Sequence, residues 1–187
     1  VSHHHLDKPW LFPSLKAAGP IRRVVYLHDV IPIDFPEYSR AGDADKHLRR
    51  MRHVAEGADL ALVNSAHTGE RVAAVVAGLG RRDLPVAVAP LGLDLETAGS
   101  APPEAARPYF LCVGTIEARK NHLLLLNLWR KLAAEQGDRA PRLVIVGRRG
   151  WEVESVIDML ERSVAIRGHV VEAGPVDDHA LRRLMAG

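Results

Sequence analysis

Apolar runs of four or five residues recur along this chain with room for a helix between most of them, and that alternation constrains its fold most strongly. The runs are Val24 to His28, Leu60 to Asn64, Val86 to Ala89, Tyr109 to Val113, Leu143 to Val146 and Val170 to Ala173. Antiparallel neighbours need only a tight turn, whereas parallel strands need a crossover, usually helical. Strand and helix patterns in alternation therefore predict an α/β fold with parallel sheets.

Helical periodicity supports the same reading. Val153, Val156, Ile157, Leu160 and Val164 recur at spacings of three and four, predicting a helix over Glu152 to Arg167 that stops at Gly168. Glu152 and Glu154 fall at its positive end, Arg162 and Arg167 near its negative end. A second helix is expected from Asn121 to a stop at Gly137, carrying Leu124, Leu125, Leu128, Trp129 and Leu132. Its unbroken Leu123 to Leu126 run predicts burial on more than one side. Asp43 to Glu56 and Ser65 to Ala77 read as helices opened by capping residues, and Ser65 follows its strand directly.

Between the halves, residues 97–107 are rich in small residues and proline and poor in large apolar ones. The expected organisation is one domain over 1–98, a linker over 99–107 and a second domain over 108–187. The chain starts without Met and ends in what reads as mid-helix, so it is expected to be an interior piece of a longer protein. His3 to His5 read equally as native sequence or as a tag remnant.

Composition narrows the partners. With 25 Lys and Arg against 23 Asp and Glu, the net charge of +2 makes no field of one sign that would mark nucleic acid as a partner. The arginine pairs at 22–23, 49–50, 81–82 and 148–149 are scattered without interleaved aromatics, and read as solvated surface. No apolar run approaches the roughly 20 residues that span a bilayer, and the start lacks a signal-peptide pattern. A single cysteine, Cys112, sits in a strand pattern and reads as core, so a reducing, cytoplasmic setting is expected. The ten histidines show no metal-ligand spacing, and no metal or cofactor is expected.

The most informative segment for chemistry is Tyr109 to Asn121: a strand, then Gly114 and Thr115, a short loop, and the adjacent cations Arg119 and Lys120 before a helix. At the carboxyl end of a parallel strand, glycine admits an anion to the main chain, helix N–H groups point at it and cations neutralise it. A diphosphate fits such a loop. On the local pattern alone, solvated cations and a plain turn glycine stay open, because neither a Walker loop nor a G-x-G-x-x-G fingerprint is present.

Five segments in order resemble the group-1 (retaining, GT-B fold) glycosyltransferases over nearly the whole chain. They are His28 to Pro32, Ala58 to Ser65, Val88 to Asp94, Val113 to Asn121 and Leu143 to Trp151. The resemblance implies parts of two Rossmann-like domains on either side of a cleft, with residues near 97–107 as the hinge. The donor nucleoside diphosphate sugar is then held by the second domain and a glycan or lipid-linked acceptor by the first. Carried over by position, Lys120 contacts the donor diphosphate, with Arg119 beside it and Gly114 and Thr115 allowing close approach. The family often has an arginine where Thr115 stands. Gly147 and Gly150 resemble its second glycine turn near the nucleotide, and turn glycines with positive φ are the equal alternative. Gly174 and Val176 lie in what resembles the nucleobase loop, next to Asp177 or Asp178 as a helix cap. His28 is placed near the transferred sugar and Asp29 near the acceptor hydroxyl, as catalytic candidates.

The function this implies is transfer of a hexose, with mannose from GDP-mannose as one expected case, to a carbohydrate or lipid-linked acceptor with retention. A sugar-nucleotide epimerase on the same fold and a non-catalytic nucleotide-binding module are the alternatives. The resemblance also places a glycine-rich acceptor loop before Val1 and an acidic motif after Gly187. The chain alone is therefore expected to bind a nucleoside diphosphate without transferring sugar. Peripheral membrane association of the longer protein and self-association of this piece complete the expected partners.

Overall fold

A computed structural model describes residues 5–92 and 107–187. The chain divides into two compact units, Val1–Leu93 and Asp94–Gly187. The expected linker lies, apart from Arg107, outside the described residues.

The first unit runs α1 (Leu11–Ala17), β1 (Val24–Leu27), α2 (Ile31–Asp34), α3 (Asp43–Gly57), β2 (Leu60–Val63), α4 (Ala66–Gly78) and β3 (Val86–Val88). Its three strands pair in parallel in the order β1-β2-β3, as the alternation predicts. Residues of β1 and β2 alternate between half-buried and buried, and Val25, Leu27, Ala61 and Val63 point into a core completed by Met51 and Val54 of α3 and Val72 and Val76 of α4. Ser65 caps α4 by accepting from the Thr68 N–H at 3.2 Å. The cap expected at Asp43 falls one residue earlier, on Gly42 in a left-handed turn, which puts Asp43 and Asp45 in the first turn, where their charges complement the helix dipole. Three hydrogen bonds of 2.7 to 2.8 Å from the Arg23 main chain and guanidinium to Asp59 tie the start of β1 to the residue before β2. The Arg23 contacts hold the Asp59 carboxyl far below the usual carboxylate range.

The second unit repeats strand and helix three times: β4 (Tyr109–Val113), α5 (His122–Gln136), β5 (Arg142–Val146), α6 (Glu154–Arg162), β6 (Val170–Gly174) and α7 (Asp178–Ala186). The strands are parallel in the order β4-β5-β6, so three βα units stand as expected. Leu126 and Trp129 of α5, Val156 of α6, Leu143 and Ile145 of β5 and Ile166 form its core.

Two helical expectations are corrected here. The helix expected over Glu152 to Arg167 is only Glu154–Arg162, because Ser163 turns extended and a short 3-10 turn follows over Val164–Ile166. That break buries Ile166 and leaves Val164, on the expected apolar face, 74% exposed. The Leu123 to Leu126 run is not buried all round: Leu123, Leu124 and Leu128 are exposed, and only Leu125 and Leu126 of the run join the core. Leu126 and Trp129 pack α5 against Leu143 and Ile145 of β5, Val156 of α6 and Ile166, and Leu123, Leu124 and Leu128 lie away from that contact.

Candidate functional site

Both units present their loops at the carboxyl ends of parallel strands, the edge where open α/β sheets bind ligands. In the second unit that edge is zipped. Beyond the ends of β4 and β5, Gly114 N–H donates to Val146 O at 2.8 Å, Ile116 N–H to Arg148 O at 2.8 Å and Gly150 N–H to Ile116 O at 2.8 Å. Gly147 N–H donates to Gly174 O at 2.9 Å, which joins the third strand end.

Such close backbone pairing excludes side chains. A Cβ at Gly147 would collide with the Gly114 carbonyl, and one at Gly150 would fall 2.6 Å from the Ile116 carbonyl. Gly114, Gly147 and Gly174 also have φ of 144°, 155° and 66°, values that favour glycine. The structure thus brings Gly114, Thr115, Gly147, Gly150 and Gly174 together at one sheet edge; Gly147 and Gly150 have a packing reason to be glycine, and Gly174 a conformational one.

The cations differ in their commitments. Lys120 ends a 3-10 turn, Ala118–Lys120, and is exposed; Arg119 beside it donates to Glu117 Oε2 at 2.8 Å, so its charge is already met. Asn121 follows in the left-handed region with φ of 51° and starts α5. Val176 is half-buried before Asp177, which caps α7 by accepting from the Ala180 N–H at 2.7 Å. Asp177 is therefore the cap that the sequence left undecided between two aspartates.

His122 was not singled out from the sequence. It is 1% exposed beneath the loop, with Nε2 3.8 Å from Cys112 Sγ, and burial pushes its pKa below the ordinary histidine value.

In the first unit, His28 and Asp29 follow β1 and line a cavity of about 370 Å³ with Pro32. The exposed His28 ring leans against Tyr26, centroids 5.0 Å apart, and Asp29 Oδ1 accepts from the Ile31 N–H at 3.2 Å. The other walls are Asp43, Lys46, His47 and Arg50, a stripe on one face of α3 at spacings of three, four and seven. That spacing was the available signal; sequence reading placed Arg50 in solvated surface, but it is 8% exposed. Arg23 and Arg81 are also committed, Arg23 to Asp59 and Arg81 to the Ala55 and Ala58 carbonyls at 2.7 and 2.8 Å. Among the described residues, no group of three His, Cys, Asp or Glu is placed to hold a metal ion, and no helix is long and apolar enough to cross a membrane.

His47 lies 3.1 Å by Nε2 from the Asp29 carbonyl, and since a carbonyl only accepts, Nε2 carries a proton and donates it. Burial drives its pKa below 6.5, opposed by the Asp29 hydrogen bond and by the Asp29 and Asp43 charges, and aided by Arg50. A histidine kept neutral in the fold takes up its proton more readily once unfolded. Its contribution to stability is complete above about pH 6.5 and is lost as pH falls toward the depressed folded value. Melting followed from pH 7.5 to 5.5 is expected to show a falling Tm, and His47→Gln should flatten that fall; an unchanged slope in the variant would remove His47 as a cause.

No family model matches the chain. Over 190 residues it is 30% identical to the serotype-specific mannosyltransferase WbdA of Escherichia coli, covering 92% of this chain and 23% of that protein. Another WbdA of Escherichia coli is 29% identical over 188 residues, with the same coverage. The chain thus spans less than a quarter of the length of the curated relatives it matches. Among solved structures, HepE of Anabaena in complex with UDP-glucose matches with a TM-score of 0.63 at 17% identity, covering 92% of this chain and 46% of that one. HepE with UDP and glucose matches at 0.57 and 20%, covering 92% and 45%.

Proposed function

We propose that this chain, a homologue of the WbdA mannosyltransferases with a GT-B-like α/β fold, belongs to a glycosyltransferase that moves a hexose from a nucleoside diphosphate sugar to a carbohydrate or lipid-linked acceptor. The transfer retains anomeric configuration in this reading, and the hexose is mannose from GDP-mannose. The relatives' name favours mannose; the nucleotide in the HepE complexes, UDP, is the competing base.

One observation carries the proposal: at the zipped glycine edge of the second unit nothing lies within 4 Å of where a Gly114 side chain would start, and the exposed Lys120 follows six residues later on the same strand-end loop. Bond cleavage at the anomeric carbon moves charge onto the leaving diphosphate. A cation and open backbone at that edge stabilise the charge as it grows, which is electrostatic catalysis without a protein nucleophile. In the first unit, the cavity beside β1 sets the His28 ring and the Asp29 carboxylate among polar groups suited to sugar hydroxyls. His28 stands nearest the transferred sugar and Asp29 nearest the acceptor hydroxyl in this assignment. No metal or cofactor enters it. Cytoplasmic location, peripheral membrane contact and self-association belong to the same proposal, and the exposed Val113, Val171, Leu124 and Leu128 support the last.

The test is transfer by the intact protein from GDP-mannose or UDP-glucose to glycan and lipid-linked acceptors, with the product's anomeric configuration read by NMR. Acceptor-dependent release of nucleoside diphosphate is expected; release of an epimerised sugar without acceptor would replace this reading. Lys120→Ala should lower donor use by one to two powers of ten, the worth of a charge-assisted contact of roughly 1.5 to 3 kcal/mol. Donor KM and kcat equal to wild type would return Lys120 to the status of a surface cation.

A further inference from the structure

Four cations stand at the carboxyl edge of the second sheet: Arg119 and Lys120 after β4, Arg148 and Arg149 after β5. Two are committed to carboxylates. Arg119 pairs with Glu117 at 2.8 Å, and Arg149 reaches Glu172 through two hydrogen bonds of 2.8 Å and Glu161 at 2.6 Å. Among the described residues, no carboxylate forms an ion pair with Lys120 or Arg148.

The backbone pairing decides where Arg148 faces. Ile116 lies opposite Arg149 in parallel register, so Thr115 lies opposite Arg148, and successive residues of an extended pair point to opposite sides. Ile116 is fully buried in the core that α5 and α6 cover, and Arg149 reaches Glu161 on α6, so that pair shares the α6 side. Thr115 and Arg148 share the other side. Gly150 falls on that side too: a Cβ there would lie 2.8 Å from Glu117 Cγ and 3.1 Å from Thr115 Cγ2. The ground beside Thr115 is thus Gly150 main chain bordered by the Thr115 and Glu117 side chains, and the exposed Arg148 next to it pairs with no carboxylate among the described residues.

We infer that Arg148 is a second cation of the donor site, gripping the diphosphate beside Thr115 together with Lys120. This rests on the reading above that the edge takes a nucleoside diphosphate. A diphosphate carries more than one negative charge and a lysine neutralises one, whereas the planar guanidinium meets two phosphate oxygens at once. Arg149, its neighbour in sequence, acts differently: it braces β6 and α6 and leaves the ligand to Arg148.

Calorimetric titration of the intact protein with GDP, UDP and the corresponding monophosphates tests the assignment. Arg148→Ala should weaken diphosphate binding at least tenfold at unchanged Tm, with a smaller loss for the monophosphates. Arg148→Lys should recover only part of the affinity, because the two-oxygen contact is gone. Arg149→Ala should lower Tm and leave diphosphate affinity within about threefold. Diphosphate binding by Arg148→Ala as tight as wild type, or an equal loss in Arg149→Ala, overturns the role of Arg148 alone. Absence of any diphosphate binding by the wild-type protein overturns the donor-site reading with it.

Discussion

Gly147→Ala is expected to destabilise the second unit by about 2 to 4 kcal/mol and to abolish nucleoside diphosphate binding. The new Cβ would collide with the Gly114 carbonyl. That carbonyl has little freedom to retreat, because the Gly114 and Ile116 N–H groups are held at 2.8 Å by the neighbouring strand end. Overpacking against backbone costs about 1 to 3 kcal/mol, and the φ of 155° adds a further strain term of about 1 kcal/mol or more. Any relaxation separates the two loops whose spacing makes the bare edge, so binding fails with stability. Gly168→Ala is the control: φ is 83°, but nothing lies within 4 Å of the added carbon, so only the left-handed cost of roughly 1 to 2 kcal/mol is expected. Denaturant unfolding of both variants, with GDP and UDP titrations, measures the contrast. A Gly147→Ala protein as stable as wild type would show that the strand-end zipper has room for a side chain.

Trp129→Ala should cost about 3 to 5 kcal/mol, the range for removing a large buried aromatic. Trp129 is 3% exposed, its Nε1–H donates to the Pro141 carbonyl at 2.8 Å, and its ring meets Phe110 edge-on at 5.6 Å between centroids. Truncation opens a cavity under β4 and β5 and leaves that carbonyl without its donor. Leu124→Ala, five residues earlier on α5, should lie within about 0.5 kcal/mol of wild type, because Leu124 is 61% exposed. Equal losses in the two variants would mean that the outer face of α5 is covered in the protein as tested.

The contrast between Trp129 and Leu124 marks where sequence reading stops. Both belong to the same apolar helix pattern, and the pattern registers hydrophobicity without the number of layers packed around the helix. The same limit explains α6. A run spaced at three and four extends through Val164, but burial of Ile166 outweighs continuation of the helix, so Ser163 breaks it. The candidate site divides likewise. Gly114, Gly147, Gly150 and Lys120 were legible from strand-glycine-cation spacing, while Asp43, Lys46, His47 and Arg50 were passed over because no single pair of them forms a motif.

What the sequence by itself determined is what depends on neighbours along the chain. The six strands of the described residues, the Ser65 cap and the positions of the loop glycines follow from short apolar runs, cap chemistry and the absence of a Cβ, all short-range properties. The tertiary structure alone decided which charges are spent. Arg149 and Arg148 are adjacent and chemically identical, yet one is held by Glu172 and Glu161, 23 and 12 residues away, and the other faces Thr115 uncommitted. That difference comes from strand register, a property of how distant segments pair, and adjacent residues on an extended segment must point to opposite sides of it.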